Sequence, residues 1–399
     1  MIDIAGRLYD HPVAQASYGI NLVEGYQMNP DPRYLALAKL QAQRLIDRVI
    51  WWQRSWFYPY PFAYRLHALY DLYQPPWFSQ MAQGQALTLF CRLAKLTGDP
   101  MYRSAADYTF RTFLVPPVAG RPWGVYVVDG LLWFDEYPNP RAVRGDRTYN
   151  GHMFAAWGLW DYWALTGSPD AKLMLQGALT TYLDANRFVR HAGWQSRYCL
   201  THGRDAGPYH STHIGQLAVD YALTGSLGFA READVLYADY PLREAGGTVR
   251  FAAGSHTGYR FGSTGQVLAA HTIDPVRATS APDNGRDKVM NRLGIWYNIS
   301  AGSLAGYRVS ETGGSVYQLG EYSNLGYSPP RSGRVRAVPL KAYQVSATGA
   351  MTGVVTTYTV GASLSVDVRA FINGREHLRL FGGPYAGRWV GVSSVDIVG

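Results

Sequence analysis

The sequence predicts an α plus β multidomain fold: an α/α barrel of four helical hairpins, followed by two tandem small β-barrel modules. Three observations carry this reading. A Leu-Thr-Gly hinge recurs through the first part of the 399 residues. Nearly all-apolar runs precede each hinge and amphipathic runs follow it. After Pro241 the pattern changes to short alternating runs rich in Gly, Ser, Thr and Val, and these contain an internal repeat. The expected domains are 1–243, 244–328 and 329–399.

The hinges are Leu96-Thr97-Gly98-Asp99-Pro100, Leu165-Thr166-Gly167-Ser168-Pro169 and Leu223-Thr224-Gly225-Ser226, with Met28-Asn29-Pro30-Asp31-Pro32 as a degenerate fourth copy. Gly suits the left-handed position just after a helix. Asp or Ser suits the next N-cap, and Pro the first helical turn. The apolar runs are Ala14–Tyr26, Ser79–Leu96, Asn150–Leu165 and His210–Leu223. The amphipathic runs are Arg33–Val49, Met101–Phe113, Ala171–Phe188 and Gly228–Tyr240. Helices apolar nearly all round are buried and amphipathic ones are outer, so inner and outer helices alternate. The segments leading into inner helices are long: 50–78, 114–148 and 189–209. They are expected on one rim, at the N-terminal ends of the inner helices. Long segments in a compact domain are usually functional, and helix dipoles there favour anions.

In the C-terminal part, Gly258–Gly265 is similar to Ala342–Gly349, and Ala305–Val309 to Ala386–Val390. A duplicated unit follows from such a repeat: two β modules, about 247–322 and 336–399, with a break near Pro329-Pro330-Arg331-Ser332-Gly333. In size they resemble the small SH3-like barrels that bacteria append to secreted or wall-active enzymes.

Composition narrows the function classes. With 47% hydrophobic and 17% charged residues, intrinsic disorder is excluded. No apolar run reaches the length of a membrane span. Aromatic residues make up 14% of the chain, and 30 Tyr exceed 14 Phe. Tyr, an apolar plate with a hydroxyl, suits wet, polar-edged sites such as sugar-binding surfaces. The net charge is +8, and residues 244–399 hold 15 Lys/Arg against 9 Asp/Glu. That balance favours polyanions, but no Lys/Arg run or nucleic-acid motif is present, so nucleic acid is not an expected partner. Cys91 and Cys199 form neither a disulfide framework nor a metal spacing. The N-terminus does not read as a signal peptide. Either the protein is not secreted by that route or a leader has been trimmed, and an extracellular or cell-surface location is expected.

Three stretches carry candidate chemistry. Trp77–Ala86 opens an inner helix with Gln80, Gln83, Gln85 and Gly84. Its amides could bind sugar hydroxyls, or cap and pack the helix. Trp133-Phe134-Asp135-Glu136-Tyr137-Pro138, with Tyr149-Asn150-Gly151-His152, sets a carboxylate pair in an aromatic loop. Burial and a second carboxylate both raise a carboxyl pKa, which suits Glu136 to general acid–base work. Trp194–His202 and Tyr209–Leu217 bring Tyr198, His202, Tyr209, His210 and His213. His210 and His213 share a helix face, but a metal would need a third ligand, with His202 the only near candidate. Structural or substrate-binding roles are therefore expected for these histidines, and no metal or other cofactor.

These stretches, in this order, resemble the C-terminal catalytic domain of the D-glucuronyl C5-epimerases. That family carries a Ser-x-Met-Ala-Gln-Gly-Gln-Ala stretch, a Glu-Glu-Tyr-Pro motif followed by Asn-Gly, a Tyr-Asp-Leu segment and a Tyr-His-x-x-His-x-x-Gln-Leu segment. Their counterparts are Ser79–Ala86, Asp135–Pro138 with Asn150-Gly151, Tyr198–Leu200 and Tyr209–Leu217. Pro12–Gly19 is also similar to the family's lead-in, so the resemblance covers about residues 11–243. It implies a helical barrel and inversion of C5 in a glucuronate unit of a polysaccharide, without a redox cofactor. It also implies catalytic roles for Glu136, Tyr137, Tyr198 and Tyr209. Gln80, Gln83, Gln85, Trp133, Asn150, His152, His202, His210 and His213 are then the expected substrate-binding set.

The sequence departs from the family in four ways, one of them Asp135 in place of the motif's first Glu. The β-rich domain that the animal enzymes place after the lead-in has no counterpart here. Thr201 replaces the Arg that follows Tyr-Asp-Leu, removing a bidentate carboxylate partner. An insertion, Arg141–Arg147, brings three arginines that could restore the charge. The expected function is a polysaccharide uronate C5-epimerase. A uronate polysaccharide lyase, an α/α-toroid glycoside hydrolase and a non-catalytic glycan-binding protein are the alternatives. The expected partners are an acidic polysaccharide and, through the β modules, a cell-wall or glycan surface, with a homodimer as the expected assembly.

Overall fold

Each hinge closes one helix and opens the next. In the computed structural model, which describes residues 2–4 (backbone alone), 7–240, 242, 246–346 and 348–398, Gly98, Gly167 and Gly225 have φ of 70°, 69° and 68°. These are left-handed values that a Cβ would disfavour. The next residue or two then cap the following helix. Asp31, Asp99 and Ser168 side chains accept from the backbone N–H groups of Arg33, Met101 and Ala171. The helices among the described residues are α1 (Pro12–Met28), α2 (Pro32–Ile46), α3 (Gln80–Thr97), α4 (Pro100–Phe110), α5 (Tyr149–Thr166), α6 (Pro169–Val189), α7 (Tyr209–Thr224) and α8 (Leu227–Asp239). Each lies within a few residues of its expected run. None is long and apolar enough to cross a membrane.

The chain divides into two compact units: residues 1–190 with 196–210, and residues 191–195 with 211–399. In the first, α1/α2, α3/α4 and α5/α6 pack as hairpins, with α1, α3 and α5 side by side. The contact between α3 and α5 is unusually close. A methyl group on Gly84 would overlap the backbone of Ala155, and one on Gly158 would overlap the carbonyl of Gly84. Gly84 of the Gln-Gly-Gln stretch is thus a packing residue.

The second unit differs from the expected division, because α8 and α7 from Ser211 onward cluster with the β modules rather than with the first three hairpins. Polar contacts from α8 explain the grouping. The Tyr237 hydroxyl donates to the carbonyl of Ser323 at 2.6 Å, and Asp234 accepts from Tyr327 at 2.5 Å and pairs with Arg331 and Arg369. The expected boundary at 243/244 lies outside the described residues.

Two seven-stranded antiparallel sheets follow. The first runs, in spatial order, Val267–Ile273, His256–Phe261, Arg308–Ser310, Trp296–Ile299, Thr279–Asp287, Thr248–Phe251 and Val316–Gln318. The second runs Met351–Val355, Lys341–Val345, Trp389–Gly391, Arg375–Leu380, Ser363–Ile372, Glu321–Val335 and Val395–Ile397. Taken in chain order, the two sheets have the same strand permutation. The repeat read from the sequence aligns them: Tyr259 pairs with Arg308 as its counterpart Tyr343 pairs with Trp389. Ala347 of that repeat lies outside the described residues. The break between modules is earlier than expected. Pro329-Pro330 lies inside the long strand Glu321–Val335, where the register slips between Gly326 and Arg331. The turn between the sheets is at Leu319-Gly320, where Gly320 has a φ of 88°.

Candidate active site

A hairpin, Val125–Val128 with Leu131–Phe134, delivers Asp135 and Glu136 to the N-terminal end of α5. The two carboxylates then take different paths. Asp135 is fully buried and accepts backbone N–H groups from Tyr137 at 3.0 Å and from Asp146 and Arg147 at 3.1 Å. Burial and neighbouring Asp146 push its pKa up to about 6 against the pull of those hydrogen bonds. Asp135 therefore holds the loop through residue 147 in place.

Glu136 turns instead toward tyrosines. Its Oε2 accepts from the Tyr198 hydroxyl at 3.4 Å. A methyl group on Gly151 would overlap the same oxygen, so the Asn150-Gly151 pair lets the carboxylate lie against the first turn of α5. Burial is the main cause that pushes its pKa up to about 7. Hydrogen bonds from Tyr137 and Tyr198 oppose the rise, and Asp146 and Asp135 add to it. Tyr137 stacks on Tyr64 with ring centroids 5.5 Å apart, and Tyr198 packs against Tyr209 at 5.1 Å. Burial raises the pKa of each of these four tyrosines, with the charge of Glu136 adding to the effect. Tyr209, the first residue of α7, is 45% exposed, whereas Tyr198 and Tyr137 are more covered.

The three long segments converge, as expected from their shared place before the inner helices; the first meets the second where His67 reaches Asp146 and Tyr73 donates to the Tyr137 carbonyl. Tyr149 N–H donates to the Tyr198 carbonyl at 2.9 Å, Leu200 N–H to Arg147 at 3.3 Å and Thr201 N–H to Asp146 at 3.2 Å. The departure at Thr201 is partly filled by the insertion. Thr201 Oγ1 accepts from Arg147 Nε at 3.4 Å and donates to the Gly145 carbonyl at 2.7 Å. Arg147, Arg187 and Arg197 line a cleft of about 340 Å³ with Asp129, Trp133 and Leu200. Arg144 is committed elsewhere, to Asp71 at 2.8 Å, and Arg141 is exposed.

Several residues expected to bind substrate are spent on the fold. Gln83 Oε1 accepts from Tyr58 N–H at 3.0 Å and its Nε2 donates to the Trp56 carbonyl at 2.6 Å. Gln85 accepts from Ser17, and Gln80, fully buried, reaches Thr112 Oγ1 at 3.5 Å. His152 is buried between strand and helix: its Nδ1 accepts from Phe134 N–H and its Nε2 donates to the Ala178 carbonyl, each at 3.0 Å. Burial pushes its pKa down to about 4, so it is neutral. Trp133, which stacks edge-on to His152, is buried apart from its edge on the arginine cleft. Asn150 is buried in the first turn of α5. His210 lies 2.9 Å from both the N–H and the hydroxyl of Ser196. His213 is buried on α7 and belongs to the second unit.

His202 stands apart from those two histidines. It stacks on Tyr70 at 3.9 Å, and its Nδ1 is 2.5 Å from Asp146 Oδ1. His67 Nε2 is 2.9 Å from the other oxygen of Asp146 and 3.5 Å from Cys199 Sγ. Sequence spacing concealed this group, because its members come from three segments far apart in the chain. Tyr64 escaped notice for the same reason.

Residues 53–235 match the family model described as D-glucuronyl C5-epimerase C-terminus. Over 87 residues the chain is 30% identical to the D-glucuronyl C5-epimerase of Caenorhabditis elegans, a stretch that is 22% of this chain and 13% of that protein's length. Among solved structures, a cellobiose 2-epimerase from Bacillus thermoamylovorans is similar at 12% identity, covering 58% of this chain and 59% of that one, with a TM-score of 0.43. A family 76 α-mannanase of Bacteroides thetaiotaomicron is similar at 12% identity, covering 57% of each chain, with a TM-score of 0.42. The motifs that surround Glu136 lie inside the stretch that is similar to the D-glucuronyl C5-epimerase C-terminus model, which spans a little under half of this chain.

Proposed function

We propose that the protein is a carbohydrate epimerase that inverts C5 of a uronate unit within an acidic polysaccharide, in the manner of glucuronate to iduronate. The observation that carries this reading is Glu136: a carboxylate whose pKa is pushed up to about 7, ringed by tyrosines, inside the stretch that the family model matches. The C5 proton lies α to a carboxylate and is only weakly acidic. A base poised near neutral pH is suited to removing it.

Geometry separates the roles of the two tyrosines. A base and an acid that reach C5 from opposite faces, each at hydrogen-bond range, lie about 6 Å apart. Tyr198 donates directly to Glu136 at 3.4 Å, so the two share a face. Tyr198 then positions Glu136 and tempers its pKa. Tyr209, more exposed and beyond Tyr198, is the acid for the opposite face. Its pKa lies above the usual value near 10, so it carries a proton at neutral pH. In the reverse direction the two groups exchange roles. The arginine cleft suits neighbouring carboxylates of the polymer, and the tandem β modules suit a wall or glycan surface outside the cell.

Proton NMR in heavy water, with a panel of uronate polysaccharides, tests the reading. Loss of the H5 signal from an intact chain is the expected result. An unsaturated H4 signal would make the protein a lyase. Persistent H5 across the panel would overturn the proposal.

A further inference from the structure

We propose that His67, Asp146, Cys199 and His202 form a structural zinc site that ties together the rim carrying Glu136 and Tyr198. Each residue offers one ligand atom, and the four atoms lie within 4.8 Å of one another. The set is two imidazole nitrogens, one carboxylate oxygen and one sulfur. Nitrogen and sulfur donors in a group of four suit tetrahedral zinc, whereas calcium and magnesium take oxygen ligands in larger number.

The positions agree with that coordination. Around a tetrahedral zinc, with bonds of about 2.0–2.3 Å, ligand atoms sit about 3.3–3.8 Å apart. His67 Nε2 is 3.5 Å from Cys199 Sγ and 2.9 Å from Asp146 Oδ2, and His202 Nδ1 is 2.5 Å from Asp146 Oδ1. Outward shifts of about an ångström at the carboxylate would open the group to those spacings. Asp146 and Cys199 are fully buried, and the His67 and His202 side chains are only 11% and 13% exposed. Such a site is closed, with four protein ligands and no open position, the pattern of structural zinc. Binding displaces the thiol proton and leaves each imidazole N–H on its outer nitrogen, so the zinc meets a thiolate, a carboxylate and two neutral rings.

The site would join all three rim segments. His67 comes from segment 50–78, Asp146 from the arginine insertion, and Cys199 and His202 flank the turn after Tyr198. Cys199 occupies the middle position of the segment that reads Tyr-Asp-Leu in the family, so the sulfur is this chain's own feature. His67 is held at a φ of 50°, in the left-handed region. A fixed ligand there offsets backbone strain.

The test uses the full-length protein without substrate, so its outcome is independent of the epimerase reading. Metal is removed with a chelator, and the protein is titrated with cobalt(II) and, separately, zinc(II). One equivalent of cobalt is expected to produce a thiolate-to-cobalt charge-transfer band and the intense visible bands of tetrahedral geometry. One equivalent of zinc added to the cobalt-loaded protein should abolish the band, and zinc alone should raise the thermal midpoint. Cys199→Ser should lose the charge-transfer band, while Cys91→Ser, at the buried cysteine of α3, keeps it. If the wild-type protein shows no charge-transfer band and no zinc-dependent shift in midpoint, the proposal fails, whether or not the variants fold. A band that survives Cys199→Ser and disappears in Cys91→Ser overturns it equally.

Discussion

At the scale of single residues, neighbouring carboxylates 135 and 136 show how little adjacency says about role. Asp135 is spent on three backbone N–H groups, whereas Glu136 faces Tyr64, Tyr137, Tyr198 and Tyr209, with Asp135 and Asp146 raising its pKa from behind. Its folded pKa of about 7 lies above the reference value of 4.5. The folded protein therefore keeps a proton that the unfolded chain releases, and stability falls as pH rises between those two values. Glu136→Gln removes that penalty. The variant should gain on the parent between pH 5 and pH 8, by on the order of 1–3 kcal/mol, measured as thermal midpoints at both pH values. Its turnover should drop about 10²–10⁴-fold, and the limb of the pH–rate profile near 7 should vanish. Tyr209→Phe makes a sharper distinction. On the proposed mechanism Glu136 would still remove H5, but the opposite face would have no donor. Deuterium should enter one epimer without inversion, as read by NMR. Tyr198→Phe should retain inversion and shift the pH profile upward, because Glu136 loses a hydrogen bond to its charged form.

At the scale of elements, the hinges are local devices that work as isolated motifs would. Cap, proline and left-handed glycine fall where the sequence placed them because each satisfies a helix end within a few residues. The Gln-Gly-Gln stretch is different. Its glycine lets α3 touch α5 backbone to backbone, and its amides tie α3 to α1 and to the loops around Trp56 and Thr112. Gly84→Ala should therefore destabilise the protein by about 1–3 kcal/mol through overpacking, despite the better helix propensity of Ala. Chemical denaturation gives the difference. A neutral or stabilising outcome would show that the two helices separate at little cost.

At the scale of the whole molecule, the second unit is joined by buried charge. Arg286, from the first sheet, is fully buried. It pairs with Glu311 at 2.9 Å and stacks over Phe371 of the second sheet at 3.9 Å. The same aromatic stack continues to Tyr237 of α8, 6.0 Å from Phe371. Arg286→Ala strands Glu311 in a covered site and empties the centre of the stack. A loss of about 3–5 kcal/mol is expected, seen as a lower midpoint or as a separate early transition of the sheets in calorimetry. An unchanged single transition would mean that the sheets are held by their separate apolar cores alone.

The sequence by itself determined the helices, their caps, the duplication of the β module and the convergence of three long segments. Each is written in short-range periodicity, in turn chemistry or in a repeat. Glu136, Tyr137, Tyr198 and Tyr209, which the structure brings together, were singled out through the resemblance to a family motif. Tertiary structure alone decided that the amides and His152 hydrogen-bond within the fold, since their partners lie 18 to 68 residues away in sequence. It also decided that the fourth hairpin groups with the sheets and that the module break falls at Leu319-Gly320. The cluster of His67, Asp146, Cys199 and His202 belongs to the same class. Its members are scattered along the chain, and only the meeting of three rim segments brings four donor atoms within reach of one ion.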